Sequence, residues 1–229
     1  MNRKTLLIIC DSHGTDWGCV GYANRLKSLL NDEWDTVTLA YPGISLKKIY
    51  SSLCDNELKQ FDAILLGIGN PDVHPRMPRA VIGLFKRLGL SSARDSYFSI
   101  PPNINLSYLL RLPLFLVRII TIRVHIETYT PAPELEQLIS KTIELLSTKT
   151  KQLHILPIFK VSEHVYGKTH NLNASNLNRY LYNSHHTNLI KDDAISEKHY
   201  KNNRNFDFFH FNNSFQEKLT KTIEKIINN

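Results

Sequence analysis

Five apolar residues, Leu6-Leu7-Ile8-Ile9-Cys10, run without a break into Asp11-Ser12-His13-Gly14. A continuous apolar run bounded by polar turn residues reads as a strand buried on both faces, here Thr5 to Cys10. From Gly21 to Leu30 the period lengthens, and Tyr22, Leu26, Leu29 and Leu30 share one helical face. Thr36 to Ala40 is β-rich and leads into the turn Tyr41-Pro42-Gly43. Ser45 is placed to cap a following helix, in which Leu46, Ile49, Tyr50 and Leu53 recur at helical spacing. Asp62 to Leu66 is a third strand, ending in Gly67-Ile68-Gly69-Asn70-Pro71-Asp72, and Pro78 to Leu88 is a helix.

Strands alternating with helices at these lengths predict βαβ units around a parallel sheet. The rhythm breaks at Ser91 to Thr130, a stretch long enough for an element inserted between regular ones. It resumes with a helix over Pro133 to Thr148, with a proline at its start. Leu153 to Phe159 is a fourth strand, with Pro157 near its end. Val161 to His186 is polar and rich in Asn and His, and reads as a long loop with a short helix around Asn176 to Tyr182. Thr187 to Ile190 is a short fifth strand, and Asn212 to Ile227 is a last helix with Phe215, Leu219, Ile223, Ile226 and Ile227 turned inward. With no internal repeat and no linker, residues 1–229 count as one α/β domain carrying an inserted lid or cap at about 91–130.

Composition adds little to this, and charge rather more. The 229 residues are 42% hydrophobic and 21% charged, ordinary values for a globular chain able to bury a full core. A net charge of +7 suggests an anionic neighbour such as a phosphorylated carrier, an acidic glycan or a membrane surface. No nucleic-acid-binding signature accompanies it. Cys10, Cys19 and Cys54 make neither a disulfide framework nor a zinc spacing, and the early apolar run is too short for a signal peptide. A reducing, cytoplasmic setting is the expectation.

In open α/β sheets ligands sit beyond the carboxyl ends of the strands, and four segments there carry chemistry-bearing residues. Ser12 follows the first strand, Gly43 the second and Asn70 the third, while Asp207-Phe208-Phe209-His210 precedes the last helix. Taken singly, each has an ordinary structural reading. Asp11 or Ser12 can cap a helix, Gly43 and Asn70 suit turns, Asp207 suits a surface turn, and His210 is flanked by packing phenylalanines.

Taken together and in this order, the four segments resemble the SGNH (GDSL-like) hydrolases, named for a Ser, Gly, Asn and His in four blocks. The Pro75-Arg76 pair after the third block is similar to the branch found beside bacterial surface-polysaccharide genes. The resemblance implies a flavodoxin-like three-layer α/β/α sandwich with a five-stranded parallel sheet. It also implies Ser12 as nucleophile, His210 as its base, Asp207 as the group orienting His210, and oxyanion donors from Ser12, Gly43 and Asn70. The implied activity is removal of an O-acyl group, such as acetyl, from a carbohydrate, with no cofactor and no metal. Transfer of the acyl group to a sugar hydroxyl or amine, or a degraded glycan-binding site, are the alternatives.

This chain departs from the pattern in three places. Cys10 stands where the first block usually has Gly, and Gly-x-Asn-Asp fits the third block only with a shift of one residue, which leaves Asp72 a share in the role of Asn70. Phe208 and Phe209 are bulky where small residues are common, implying a tighter, more apolar pocket wall. Beyond the blocks, His13 is either a pocket residue or a free loop residue, and Arg76 either binds an anionic part of the substrate or forms a structural salt bridge. In the insert, Arg111 and Arg118 lie seven apart in an apolar stretch interrupted by Pro113, too broken to cross a membrane. A packed lid, a dimer contact, and a membrane-surface or lipid-linked-carrier contact are its three readings.

Overall fold

The computed structural model describes residues 3–87, 106–124, 127–184, 188–191 and 193–228. Its strands are β1 (Lys4–Cys10), β2 (Trp34–Ala40), β3 (Ala63–Gly67), β4 (Gln152–Ile155) and β5 (Asn188–Leu189). They pair in parallel in the order β2-β1-β3-β4-β5. Four strands are substantial and the fifth has two residues. The helices are α1 (Tyr22–Leu29), α2 (Leu46–Asp55), α3 (Asn70–Val73), α4 (Arg79–Arg87), α5 (Leu106–Val124), α6 (Ala132–Ser147), α7 (Glu163–Tyr166), α8 (Thr169–Asn183), α9 (Glu197–Tyr200) and α10 (Asn213–Ile227).

The alternation along β1 divides the interior. Leu6, Ile8 and Cys10 face α1 and α10, meeting Leu26, Phe215, Leu219 and Ile223. Leu7 and Ile9 face the other way, toward Ile49 and Leu53 of α2, Ile139 and Ile143 of α6, and Leu177 of α8. Both faces are covered, which is why β1 and β3 read as unbroken apolar runs. The result is a three-layer α/β/α sandwich with a flavodoxin-like strand order.

Three elements differ from the sequence expectation. The fourth strand ends at Ile155 rather than Phe159, because Pro157 has no N–H for the ladder and the Ile158 amide donates to Asn178 Oδ1 instead, at 2.7 Å. The polar stretch expected to be mostly loop is helical over α7 and α8. Ser45 occupies the position before α2 but makes no side-chain capping bond. The carboxylate of Asp72 takes that place, accepting from the Leu46 amide at 2.8 Å.

Of the segment expected to form a lid, 91–105 and 125–126 lie outside the described residues, as do His185 and His186. Its described part is dominated by α5. Phe115 and Ile122 of that helix join Met77, Val161, Tyr166 and Phe209 in a third apolar cluster.

Candidate active site

Every parallel strand delivers its carboxyl end to the same edge of the sheet. Cys10 is level with Ala40 on one side and Gly67 on the other. Ladder-like bonds continue one residue further, from Asp11 N to Gly67 O at 2.9 Å and from Tyr41 N to Cys10 O at 2.8 Å. Ser12, Gly43 and Asn70 therefore each leave adjacent strands within three residues of their ends. Neither Asp11 nor Ser12 caps α1, whose preceding residue is Gly21. The turn after β1 is held from the far end of the sequence, where Gln216 on α10 donates to His13 O at 2.9 Å and accepts from Tyr22 N at 3.0 Å.

Ser12, Asp207 and His210 are buried and in register. His210 Nε2 lies 2.9 Å from Ser12 Oγ, and His210 Nδ1 lies 2.5 Å from Asp207 Oδ2. An ionised carboxylate only accepts, so Nδ1 carries the proton and Nε2 is left to accept from the Ser12 hydroxyl. The other oxygen of Asp207 accepts from the amides of Phe209 at 3.0 Å and His210 at 2.9 Å. Burial works against the Asp207 charge, but the His210 ring and these amides outweigh it and hold the carboxyl well below the usual range. Trp17 completes the set, its indole N–H reaching Asp207 Oδ2 at 2.9 Å while its ring lies 5.1 Å from that of His210.

The 205–211 loop is braced on several sides. Asn205 Nδ2 donates to the carbonyls of Trp17 and Phe211, Tyr166 OH donates to Asp207 O, and the half-buried Arg204 guanidinium donates to the carbonyls of Phe209 and Lys160. Phe208 has φ of 56°, a left-handed conformation that is strained for a bulky side chain. It is exposed, and Phe209 alone of the pair packs inward, against His13, His74, Tyr166, His170 and His210.

Asn70 opens α3 directly after Gly69, whose φ of 112° is one that glycine adopts freely. Its backbone N–H and side-chain amide both reach Asp11 Oδ2, at 3.3 and 2.9 Å. The carboxylate fixes the amide's orientation, with nitrogen toward Asp11, and leaves one hydrogen of Nδ2 uncommitted. Burial opposes the Asp11 charge, but hydrogen bonds from His13 and Asn70 hold its pKa below the ordinary value. Asp72 takes no part here. It points to α2 and to the Thr130 hydroxyl at 2.7 Å, so Asn70 and Asp72 have separate partners. Gly43, at φ 70°, turns the chain after β2. Among the described residues, the amides of Ser12 and Gly43 have no hydrogen-bond partner.

His13 is not a free loop residue. Its ring is buried among Phe159, Phe209, His210 and Phe211, with Nδ1 3.4 Å from Asp11 Oδ1 but without hydrogen-bond geometry. Burial lowers its pKa, so it is a neutral wall beside Ser12. Arg76 is also turned inward, where it donates to Pro71 O and lies 3.4 Å from the Tyr129 ring. Cys10, at the end of β1, is fully buried, and burial pushes its thiol up to about 12.

A buried chain that sequence spacing does not announce links α5 to the wall of the site. Arg118 Nη2 meets His74 Nε2 at 3.1 Å, His74 Nδ1 meets His170 Nδ1 at 3.1 Å, and His170 Nε2 donates to Phe159 O at 3.0 Å. The guanidinium and the carbonyl at its ends fix both tautomers: His74 accepts at Nε2 and donates from Nδ1, and His170 accepts at Nδ1. Burial pushes both histidines down, His170 to about 3. A pair closed by a guanidinium is built for hydrogen bonding and not for a cation. Trp17, Arg204 and Gln216 were likewise invisible in the sequence, since each acts through partners close in space but distant along the chain.

No family model matches the chain, and no curated protein matches it. Solved structures do. A lipase/acylhydrolase from Enterococcus faecalis is 14% identical with a TM-score of 0.56, over 98% of this chain and 95% of that one. An acetylxylan esterase from Geobacillus stearothermophilus is 14% identical with a TM-score of 0.59, over 99% and 94%. A lipase from a goat rumen metagenome is 13% identical with a TM-score of 0.54, over 97% and 96%. What the chain shares with these enzymes, along nearly its whole length, is the three-layer α/β/α fold.

Proposed function

We propose that the chain is a serine esterase of the SGNH type that removes an O-acyl group, acetyl first among candidates, from a carbohydrate. The observation that carries this reading is the continuous line from Ser12 Oγ through His210 to the Asp207 carboxylate, at 2.9 and 2.5 Å. As Ser12 Oγ bonds to the ester carbonyl carbon, its proton passes to His210 Nε2. Asp207 stabilises the imidazolium without taking its proton. The oxyanion is received by the amides of Ser12 and Gly43 and by the free hydrogen of Asn70 Nδ2. Collapse breaks the bond to the leaving alcohol, which takes the proton from Nε2. Water then repeats the cycle on the acyl-serine, giving up a proton to Nε2 and restoring the Ser12 hydroxyl as the acid departs.

The carbohydrate acetyl substrate draws its support from the acetylxylan esterase among the structures sharing the fold, one serine-to-alanine form of which is described as a catalytic mutant. The test compares the wild type with Ser12→Ala, using a fluorophosphonate probe and a chromogenic acetyl ester. Labelling and turnover are expected in the wild type alone, and activity independent of Ser12 overturns the reading. Labelling with slow hydrolysis that sugar acceptors accelerate reassigns the same acyl-serine to transfer.

A further inference from the structure

The net charge of this protein has an address. Residues 73–126 contain eight of the 28 Lys and Arg but one of the 21 Asp and Glu, a net of +7 that equals the charge of the whole chain. The remaining residues are balanced. On the two described helices of this segment the imbalance is complete: α4 carries Arg79, Lys86 and Arg87, α5 carries Arg111, Arg118 and Arg123, and neither has an acid.

The same α5 displays an apolar face to solvent. Leu109, Leu116, Val117, Ile120 and Val124 are each between 37 and 80% exposed. At ~100° per residue, positions 109, 116, 117, 120 and 124 fall within an arc of about 100°. The opposite face is the packed one, holding Leu112, Phe115, Ile119 and Ile122 together with the buried Arg118, which is bonded to His74. Arg118 is therefore not a surface cation. Exposed Leu84 on α4 extends the apolar surface. Among the described residues, no helix is long and apolar enough to cross a membrane.

We propose that this face of α5, bordered by the exposed Arg123, docks on an anionic lipid surface. Apolar side chains along one helix face, with an arginine at the border, suit a helix lying in the headgroup layer with its stripe roughly 5–10 Å deep. Each cation held near an anionic leaflet adds attraction that salt screens. A second copy of this chain fits less well, because it would set the exposed cations Arg87 and Arg123, on helices without an acid, against their own kind. This proposal stands apart from the esterase reading and needs no turnover for its test.

The test is co-sedimentation with vesicles of phosphatidylcholine alone and of phosphatidylcholine with an equal part of phosphatidylglycerol. The protein is expected on the anionic vesicles, released by raised salt, and free of the neutral ones. Leu116→Ser/Ile120→Ser/Val124→Ser should lower the partition coefficient about tenfold or more, since burying these side chains supplies the apolar part of such binding. Arg87→Glu/Arg123→Glu should abolish the preference for anionic lipid. Val124→Ser, at the most exposed position, repeats the apolar test if the triple variant unfolds. Failure to bind anionic vesicles overturns the proposal, and so does binding that neither set of substitutions alters. A dimer seen by light scattering and dissolved by the triple variant also overturns it, assigning the face to a second copy.

Discussion

The indole N–H of Trp17 and Nδ1 of His210 converge on one oxygen of Asp207, at 2.9 and 2.5 Å. With two backbone amides on the other oxygen, the carboxylate has four donors around it and its plane is fixed. Trp17→Phe keeps a ring over His210 but removes one of these donors. Loss of a hydrogen bond to a charged group is worth roughly 1.5–3 kcal/mol, so kcat/KM on an acetyl ester should fall about 10- to 100-fold, carried by kcat. Unchanged kcat would mean that the remaining three donors hold Asp207 unaided.

Asp11 and Asn70 form a second pair, in which the acid aims the amide. Asn70→Ala should lower kcat by roughly 100- to 1,000-fold, the usual cost of a missing oxyanion donor. Asp11→Asn should produce a loss of similar kind. Because both changes act on the same amide, the double variant should be no slower than Asn70→Ala alone. Multiplying losses in steady-state kinetics would separate the two residues.

His13 and His210 are both buried next to Ser12, but only His210 contacts its hydroxyl. His210→Ala should cost about 1,000-fold or more, whereas His13→Phe, which keeps an apolar ring in the wall, should retain most turnover. Comparable losses would put the base at the wrong histidine.

Asp72 gives a signed effect on stability. Burial raises its pKa from 3.8 to about 6, against the opposing bonds from Thr130 and Leu46. The folded chain holds this proton more tightly than the unfolded one, so the contribution is full below pH 3.8 and lost as pH rises through 6. Compared with Asp72→Asn, the wild type should therefore gain on the order of 2 kcal/mol in urea-unfolding free energy between pH 7.5 and pH 4, given about 1.4 kcal/mol per pK unit. A constant difference between the two proteins across that range would refute this.

The buried histidines act in the opposite sense. His170 falls from 6.5 to about 3 in the folded chain through burial, so its contribution is present above pH 6.5 and lost as pH drops toward 3. His170→Gln offers an acceptor to His74 and a donor to Phe159 O without taking a proton. In urea titrations it should reduce the acid slope by up to about 1.4 kcal/mol per pH unit, and an unaltered slope would place the acid sensitivity elsewhere.

The legible parts of the fold were those where one local pattern decides the outcome. β1 and β3 are buried on both faces and read as apolar runs, and α10 announces itself by its period and by Asn212, whose side chain accepts from Phe215 N. The sequence Thr-His-Asn-Leu-Asn-Ala-Ser-Asn looked like loop because asparagine is a poor helix former. The asparagine amides of α8 are instead bonded to the backbone of other segments: Asn171 to both backbone groups of Val161, Asn178 to those of Ile158, and Asn173 to Val73 O. Tertiary bonds of this kind leave no period in the sequence. Among the candidate site residues, Ser12, Asp207 and His210 meet in space. The bond from Asn70 to Asp11 and the separate duty of Asp72 are consequences of where three strand ends face one another.

Ser12 and His210 are 198 positions apart, and the turn bearing Ser12 is tied to α10 through Gln216. During synthesis Ser12 would leave the ribosome long before His210, the base of the proposed mechanism. On the proposed mechanism, an incomplete chain would thus carry a serine without the base that activates it. Reactivity toward a fluorophosphonate would switch on only when the final helix seats, making it a chemical clock for the end of folding.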